Sequence, residues 1–551
     1  SPGERVRRDP LELAFHGIAI TYLVVTALGA TRPFWAEVHD DFTAYLEFPR
    51  RLLQTGTFVE PMSSRRIATL GGGVYLQSLL FPLWGPAAVP LVDVGLGQLL
   101  AWGAALAIRP LGQGRAHRAV RLGAPLFVLA LGSAHELYSH APMRLVFGLV
   151  VVLLAATAAA AGKQGARAGD FAVVAASGVA LVSLRNSLVA FALLVACGWA
   201  VVGLVRRDRR LARDVIVSAA AMIALLLPWC AVSWRSSGTP FYPLLEGTFR
   251  SGAFSAPMAL GEKLAFVGDV LARVGAHWVL LVGIGAWLLG AGARAVAVGA
   301  GAAVVTCAAT AFSLTGFDSY NIFRYSEPML LGALAFAACA LGAALADGGV
   351  AGRGRRAVAF AGASMVAVAV LVPLRLVVYD REVEVWCPRR ALRATAAFAV
   401  ASAQALREPF APFASKGSEV YASAQAAMPR GAAVAAAVAR PFLWDLGRQR
   451  IDSVDIPGVV SPAPGLPSGG GADALAAYLR QLGYEFLAFT PPATGPSLYQ
   501  RSRWQALARG HLPMWRDLGG RVGAFLDDVD ALSRERRVVY TSGEIVVVDL
   551  R

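Results

Sequence analysis

The residues able to do chemistry fall in a few short polar stretches, each beside a long apolar run. The first is HDDFTAY, in which Asp40 and Asp41 are adjacent. Two neighbouring carboxylates at a membrane surface repel each other and need a metal, a cationic partner or a shared proton to settle them. A carboxylate so placed can act as general base on a hydroxyl and raise its nucleophilicity. The second is Arg185-Asn186, a turn between two apolar runs. An arginine at that depth is costly unless paired, which makes it a functional candidate by default. The third, GFDSYNIFRYSEPM at 316–329, brings Arg324 and Tyr325 to the start of another apolar run. Pro328 there also suits a first helical turn. The fourth, RSSGTPFYPLLEG at 235–247, holds Tyr242 in a Gly/Pro turn suited to shaping a loop. His135, Glu136 and His140 share one short loop, with no fourth ligand to complete a metal site.

What positions these stretches is a chain built for a membrane. Of 551 residues 56% are hydrophobic and only 16% charged, well under the roughly one quarter of an ordinary soluble protein. Apolar spans fall at 11–30, 88–108, 121–135, 143–162, 170–184, 187–205, 215–234, 276–292, 295–314, 328–346 and 357–378. A further stretch, 70–86, starts with three glycines and contains two prolines, and reads as a re-entrant or interfacial helix. If 70–86 does not cross and the N-terminus is cytoplasmic, every compact Arg/Lys cluster between spans lies on the cytoplasmic side. Eleven spans follow, and the loops 31–70, 136–142, 185–186, 235–263 and 315–327 share the other face with everything after 379.

The net charge of +15 does not mark a nucleic-acid binder. The basic residues sit in short clusters between spans, as topology requires, and no aromatic and basic residues alternate as a stacking platform would demand. Five cysteines, four of them inside spans (Cys387 is the exception), offer no disulfide framework and no CxxC spacing. From 379 onward the texture changes. AAVAAAVARPFLWDL (432–446) reads as a strand and its sequel, ADALAAYLRQLG (472–483) as a helix, YEFLAF (484–489) as a strand, and VVYTSGEIVVVDL (538–550) as a hairpin. The expected fold is a polytopic α-helical membrane domain, 1–378, followed by a soluble α/β domain, 379–551.

The stretch DFTAYLEFPRRLLQTGTFVEP (41–61) resembles the first-loop signature of the C-type (GT-C) glycosyltransferase superfamily, particularly the bacterial relatives of protein O-mannosyltransferases and of the aminoarabinose transferase. Asp41, Tyr45, Leu52, Leu53, Gly56, Phe58 and Pro61 fall in its register. Phe42 stands where that family has Glu, and LGGGVYLQ (70–77) replaces its Lys-Pro-Pro, so Arg65 or Arg66 is the candidate for the lost cation. The resemblance implies Asp41 as catalytic carboxylate with Asp40 as its neighbour. It implies Arg185 as a ligand of a donor phosphate, a task suited to a guanidinium, which grips two oxygens at once. It further implies Arg324 as a second phosphate ligand or the partner of Asp41, with Tyr45, Asn186, Tyr242 and Tyr325 lining the substrate.

The implied function is transfer of a sugar from a polyprenyl-phosphate donor to a glycan, lipid or protein acceptor, at the extracytoplasmic face of a bacterial inner membrane. Membrane lipids are then the surroundings and nucleic acid is not a partner. No cofactor is fixed by the sequence, and a divalent metal stays open. Three rivals stand beside this reading: a lipid-linked glycan polymerase or ligase, a transporter or flippase, and a non-catalytic scaffold whose exported domain binds cell-wall glycan. The second predicts internal repeats and charged residues at the membrane midplane; the sequence displays no convincing repeat and its spans are almost free of charge.

Overall fold

The computed structural model describes residues 10–29, 40–67, 69–84, 89–108, 115–133, 141–162, 168–241, 245, 258–288, 293–315, 319–346, 396, 400, 403, 417–493, 498–510 and 513–551. In chain order the helices of the first part are α1 (Pro10–Gly29), α2 (Glu47–Thr55), α3 (Ser64–Ile67), α4 (Gly72–Trp84), α5 (Gly97–Ala107), α6 (Arg115–Ser133), α7 (Met143–Gly162), α8 (Ala168–Leu184), α9 (Leu188–Val205), α10 (Arg209–Ser237), α11 (Leu260–Arg273), α12 (Ala276–Leu288), α13 (Ala293–Ser313) and α14 (Ser319–Ala346). Among the described residues, five stretches are long and apolar enough to cross a membrane: Met143–Ala161, Leu188–Val205, Arg209–Ser237, Arg294–Ser313 and Ile322–Ala344. A sixth follows if α11 and α12, bent by 73°, form one broken span. Shorter apolar helices cover Pro10–Val24, Leu91–Ala107 and Phe171–Leu184. The expected count of eleven is therefore not reached on this criterion, and the expected span 357–378 and the domain boundary at 378 lie outside the described residues.

Helices α7, α8, α9, α13 and α14 share one buried core that includes Val150, Leu154, Leu181, Phe191, Val195, Ala303, Cys307 and Phe336. Small residues let backbones touch where lipid supplies no hydrophobic drive for helix association. A Cβ on Gly148 of α7 would stand 2.3 Å from the Gly97 carbonyl oxygen at the start of α5. The stretch expected to be interfacial is α4, at 13 residues too short at about 1.5 Å per residue to cross a core of roughly 30 Å.

The C-terminal part is a five-stranded sheet with helices. After α15 (Ser418–Ala426) come β1 (Ala433–Ala437), β2 (Arg450–Ser453), α16 (Gly471–Gln481), β3 (Phe486–Phe489), α17 (Arg501–Ala508), α18 (Pro513–Glu535), β4 (Val538–Thr541) and β5 (Val546–Asp549). The strand order is β2-β1-β3-β5-β4; the first three are parallel, and the β4–β5 hairpin adds antiparallel to β3. Side chains on a strand alternate between faces. Ala433, Ala435 and Ala437 of β1 meet Leu475, Leu479, Val522 and Phe525 of α16 and α18. Val434 and Ala436 face the opposite way, into a core with Tyr421, Trp444 and, from the membrane part, Leu46, Phe81 and Val89. Burial on both faces explains why β1 reads as a continuous apolar run without polar alternation.

Candidate active site

The segment 40–71 lies between the helix ends and the C-terminal sheet, and local rules place it. A single π-helical turn, Asp41–Tyr45, leads into α2. That helix ends at Gly56, in the left-handed region at φ 69°, where the Gly56 N–H reaches the Leu52 carbonyl at 2.9 Å. Three residues beyond α3's last, Leu70 is fully buried. The Thr69 hydroxyl donates to the carbonyls of Ser183 (3.1 Å) and Leu184 (3.0 Å), two of the orphan acceptors at the end of α8. Gly71 takes φ 103°, and a Cβ on Gly72 would fall 2.0 Å from the Ser183 hydroxyl. The glycines of LGGGVYLQ are thus what lets α4 start against the end of α8, next to Arg185.

Around that junction the charged residues converge. The Asp40 carboxylate accepts from Arg65 Nε at 3.1 Å and from Arg324 Nη2 at 2.5 Å. Its side chain retains 20% exposure. Burial alone would raise its pKa; Arg65 and then Arg324 outweigh burial and hold the carboxyl well below the usual carboxylate range. Arg185 stacks its guanidinium over the Tyr325 ring at 4.6 Å from the centroid, and Arg324 approaches the same ring at 5.5 Å. Tyr45 lies within electrostatic reach of Arg185, Asp40, Arg324 and Tyr325, and its phenol is pushed up to about 12, by burial first. Three guanidiniums from three separate parts of the chain thus gather around one carboxylate and two tyrosines. Among the described residues Arg185 has no carboxylate partner, and Arg324 Nε is buried without an acceptor.

A second charged cluster ties the same segment to the C-terminal domain. Arg51 Nη2 meets Glu47 at 3.0 Å and Glu60 at 2.5 Å, and Nη1 meets Asp452 of β2 at 3.7 Å. Arg51 also donates to the Ile451 carbonyl at 2.8 Å. Ser453 gives its hydroxyl to Glu47 (2.5 Å) and its N–H to Glu60 (2.8 Å). Arg50 donates to the Phe442 carbonyl, and the rings of Phe42 and Phe442 pack at 5.0 Å. Burial, opposed by Arg51 and reinforced by Asp452 and Glu47, drives the Glu60 carboxyl well above its ordinary value; Glu47 is raised as well, again by burial first.

Several sequence expectations need adjusting against this geometry. Asp40 is a carboxylate that pairs with Arg324. The backbone of Asp41 opens the π turn, while its side chain is outside the described part of the structure. A carboxylate held as Asp40 is makes a weak base, so its environment suits holding arginines in place better than taking a proton. Arg65 joins the cluster and Arg66 does not. Arg66 is 1% exposed, with its Nε on the Phe58 carbonyl and Nη1 on the Thr69 carbonyl, both at 2.7 Å, because the turn between Phe58 and Thr69 needs an internal donor. Asn186 is buried in the turn beside Arg185. Tyr242 and the loop with His135, Glu136 and His140 lie outside the described residues. Among those described, no three of His, Cys, Asp or Glu come together as a metal site. Sequence reasoning missed Asp455 and the Arg51 cluster. The paired arginines of FPRRLL, buried where a surface helix would expose them, were the available signal.

No protein-family model matches this chain, and no curated protein matches it. Solved structures do resemble it over nearly its whole length. ArnT from Cupriavidus metallidurans, bound to undecaprenyl phosphate, is 15% identical with a TM-score of 0.43, covering 98% of each chain. The same protein in the apo state is 16% identical with a TM-score of 0.46, covering 98% of this chain and 97% of that one. ArnT is an aminoarabinose transferase of the GT-C class, the group whose relatives the first loop resembles. At such identities and TM-scores the likeness carries no functional argument, and what the site does has to come from its own chemistry.

Proposed function

We propose that this chain is an integral-membrane glycosyltransferase that takes a sugar from a polyprenyl-phosphate donor at the face bearing the C-terminal domain. One observation carries the reading: Arg65, Arg185 and Arg324 converge at the ends of apolar helices, with Arg185 lacking a carboxylate partner among the described residues. Such a site suits an anionic headgroup whose long apolar tail remains among the helices. Pre-placed guanidiniums aimed where negative charge develops are the main way to stabilise a departing phosphate.

In the proposed reaction an acceptor hydroxyl attacks the anomeric carbon, and the bond from that carbon to the phosphate oxygen breaks. The hydroxyl proton passes to the Asp41 carboxylate, next to Asp40 in the sequence. The electron pair of the broken bond stays on the polyprenyl phosphate, neutralised by Arg185 and by the Arg324 nitrogen not used on Asp40. Asp40 holds Arg65 and Arg324 in place. The tyrosines 45 and 325 wall the site, and Tyr325 keeps Arg185 and Arg324 on one ring. The acceptor is a glycan, lipid or protein of the cell envelope, and the membrane is the bacterial inner membrane.

The test is native mass spectrometry of the full chain released from gentle detergent, before and after Arg185→Ala. A co-purifying polyprenyl phosphate lost in the variant supports the assignment. Its absence from the wild type, under conditions that preserve bound phospholipid, removes the donor class. Asp41→Asn should retain the lipid and abolish transfer; an active Asp41→Asn enzyme takes Asp41 out of the mechanism.

A further inference from the structure

The C-terminal domain places a carboxylate directly behind the cluster just described. Asp455, two residues beyond β2, has a side chain with no exposure. Both its oxygens are used on the first loop. They accept from the hydroxyls of Ser63 (2.8 Å) and Ser64 (3.2 Å) and from the N–H groups of Ser64 (3.0 Å) and Arg65 (3.1 Å). The two N–H groups are the leading backbone donors of α3, which have no acceptor within the helix. The same carboxylate also faces Arg65 Nη1 at 3.4 Å, on the guanidinium whose Nε holds Asp40. Tyr499, fully buried, donates to the Val454 carbonyl at 3.0 Å and fixes the backbone that presents Asp455.

Capping α3 accounts for the bonds to Ser63, Ser64 and the Arg65 amide. It does not account for the guanidinium, which could have turned to solvent or toward a ligand. Shared between Asp455 and Asp40, Arg65 has its charge occupied on both sides. It then serves as a fixed cation against which Asp40 is held, leaving Arg185 and part of Arg324 for an anion.

We propose that Asp455 is a positioning residue for the site: the C-terminal domain, through Asp455 and Arg65, sets the position of Asp40 and so of Arg324. The chain Asp455–Arg65–Asp40–Arg324 joins the end of β2 to α14, and the exported domain becomes part of the reaction centre's framework. The linkage stands on the geometry; only its consequence for sugar transfer rests on the function proposed above.

Hydrogen–deuterium exchange on the full chain in nanodiscs tests the linkage without requiring activity. Asp455→Asn should speed exchange roughly tenfold at both 63–66 and 40–45, the scale expected when a charge-assisted bond is lost. Arg65→Gln keeps the capping bonds, so it should speed 40–45 by a similar factor and leave 63–66 protected. In the double variant 40–45 should be no faster than in either single variant, because both break one relay. A cap alone cannot produce that non-additivity. Unchanged exchange at 40–45 in Arg65→Gln, or effects that multiply in the double variant, overturns the proposal. If Asp455→Asn undocks the domain, seen as faster exchange throughout β1 and 47–55, Arg65→Gln decides by itself. Retention of added undecaprenyl phosphate, read by native mass spectrometry on the same samples, should fall in both single variants and no further in the double. If even the wild type retains none, the donor assignment fails while the exchange pattern still decides the linkage.

Discussion

The first loop contains two arginine–carboxylate clusters with opposite balances. Around Arg51 three carboxylates, Glu47, Glu60 and Asp452, share one guanidinium in a seam that buries Arg51, Glu47 and Glu60. Around Asp40 one carboxylate is shared by Arg65 and Arg324, with Arg185 close by and free of any described acidic partner. The acid-rich cluster takes its other hydrogen bonds from Ser453, a residue of the C-terminal domain, and is buried at that contact, with Glu47 Oε2 left without a donor. The base-rich cluster keeps partial exposure and has donors to spare. A seam short of positive charge has nothing to offer an anionic ligand and serves to dock a domain; a site with surplus guanidinium is ready to accept one.

Removing the cation from the acid-rich cluster should give the largest effect. Arg51→Met leaves buried carboxylates without their partner, a change that costs about 3–5 kcal/mol. Limited proteolysis and thermal unfolding should report a C-terminal domain no longer held to 47–60. An unchanged melting curve would mean that apolar packing at Leu46, Phe81 and Val89 does the docking and that the contrast between the clusters is electrostatically empty. In the base-rich cluster, Arg185→Ala should leave the melting temperature alone. It should weaken retention of a polyprenyl phosphate by about 10- to 100-fold, the equivalent of charge-assisted hydrogen bonds worth roughly 1.5–3 kcal/mol.

A smaller effect is expected at the shared foundation. Gly72→Ala forces a methyl group onto the Ser183 hydroxyl. Overpacking of this kind costs about 1–3 kcal/mol, to be read as a lowered melting temperature together with weaker lipid retention. A stable Gly72→Ala with full retention would show that the α4–α8 contact does not set the Arg185 turn.

Acidity should separate the clusters most finely. Glu60 and Glu47 are raised in the folded protein, chiefly by burial. Their protonated forms therefore favour the docked state, and docking weakens as pH rises from the ordinary glutamate value of about 4.3 through the raised one. Asp40 is depressed, with Arg65 and Arg324 overcoming burial. Its contribution is present above the ordinary aspartate value of about 3.9 and is lost only as pH falls through the lowered one. Protease resistance of the docked domain should thus improve between pH 8 and pH 5, while exchange protection at 40–45 stays flat. A parallel response of the two segments would merge the clusters into one electrostatic unit.

The sequence by itself located most of the long apolar helices and four of the five strands. A buried apolar run announces itself residue by residue, through transfer energies that need no partner. That is why β1, α16, β3 and the β4–β5 hairpin fall within the stretches expected, whereas 70–86 was set apart as interfacial by its glycines, its prolines and the charge of the loops around it. The same reasoning marked Arg185, Arg324 and the Asp40–Asp41 pair, since a charge beside an apolar run is expensive wherever its partner is. Which charges pair was beyond its reach. Asp40 and Arg324 are 284 residues apart, and Asp455 and the Arg65 amide 390. Nothing local distinguishes Arg65 from Arg66, or Arg51 from any arginine on an amphipathic helix. Coulomb attraction and hydrogen bonding depend on separation in space at the scale of a few ångströms. Only the folded chain, by docking the C-terminal sheet onto the first loop and the start of α4 onto the end of α8, fixes those separations, and with them the split between a buried acidic seam and a partly exposed basic site.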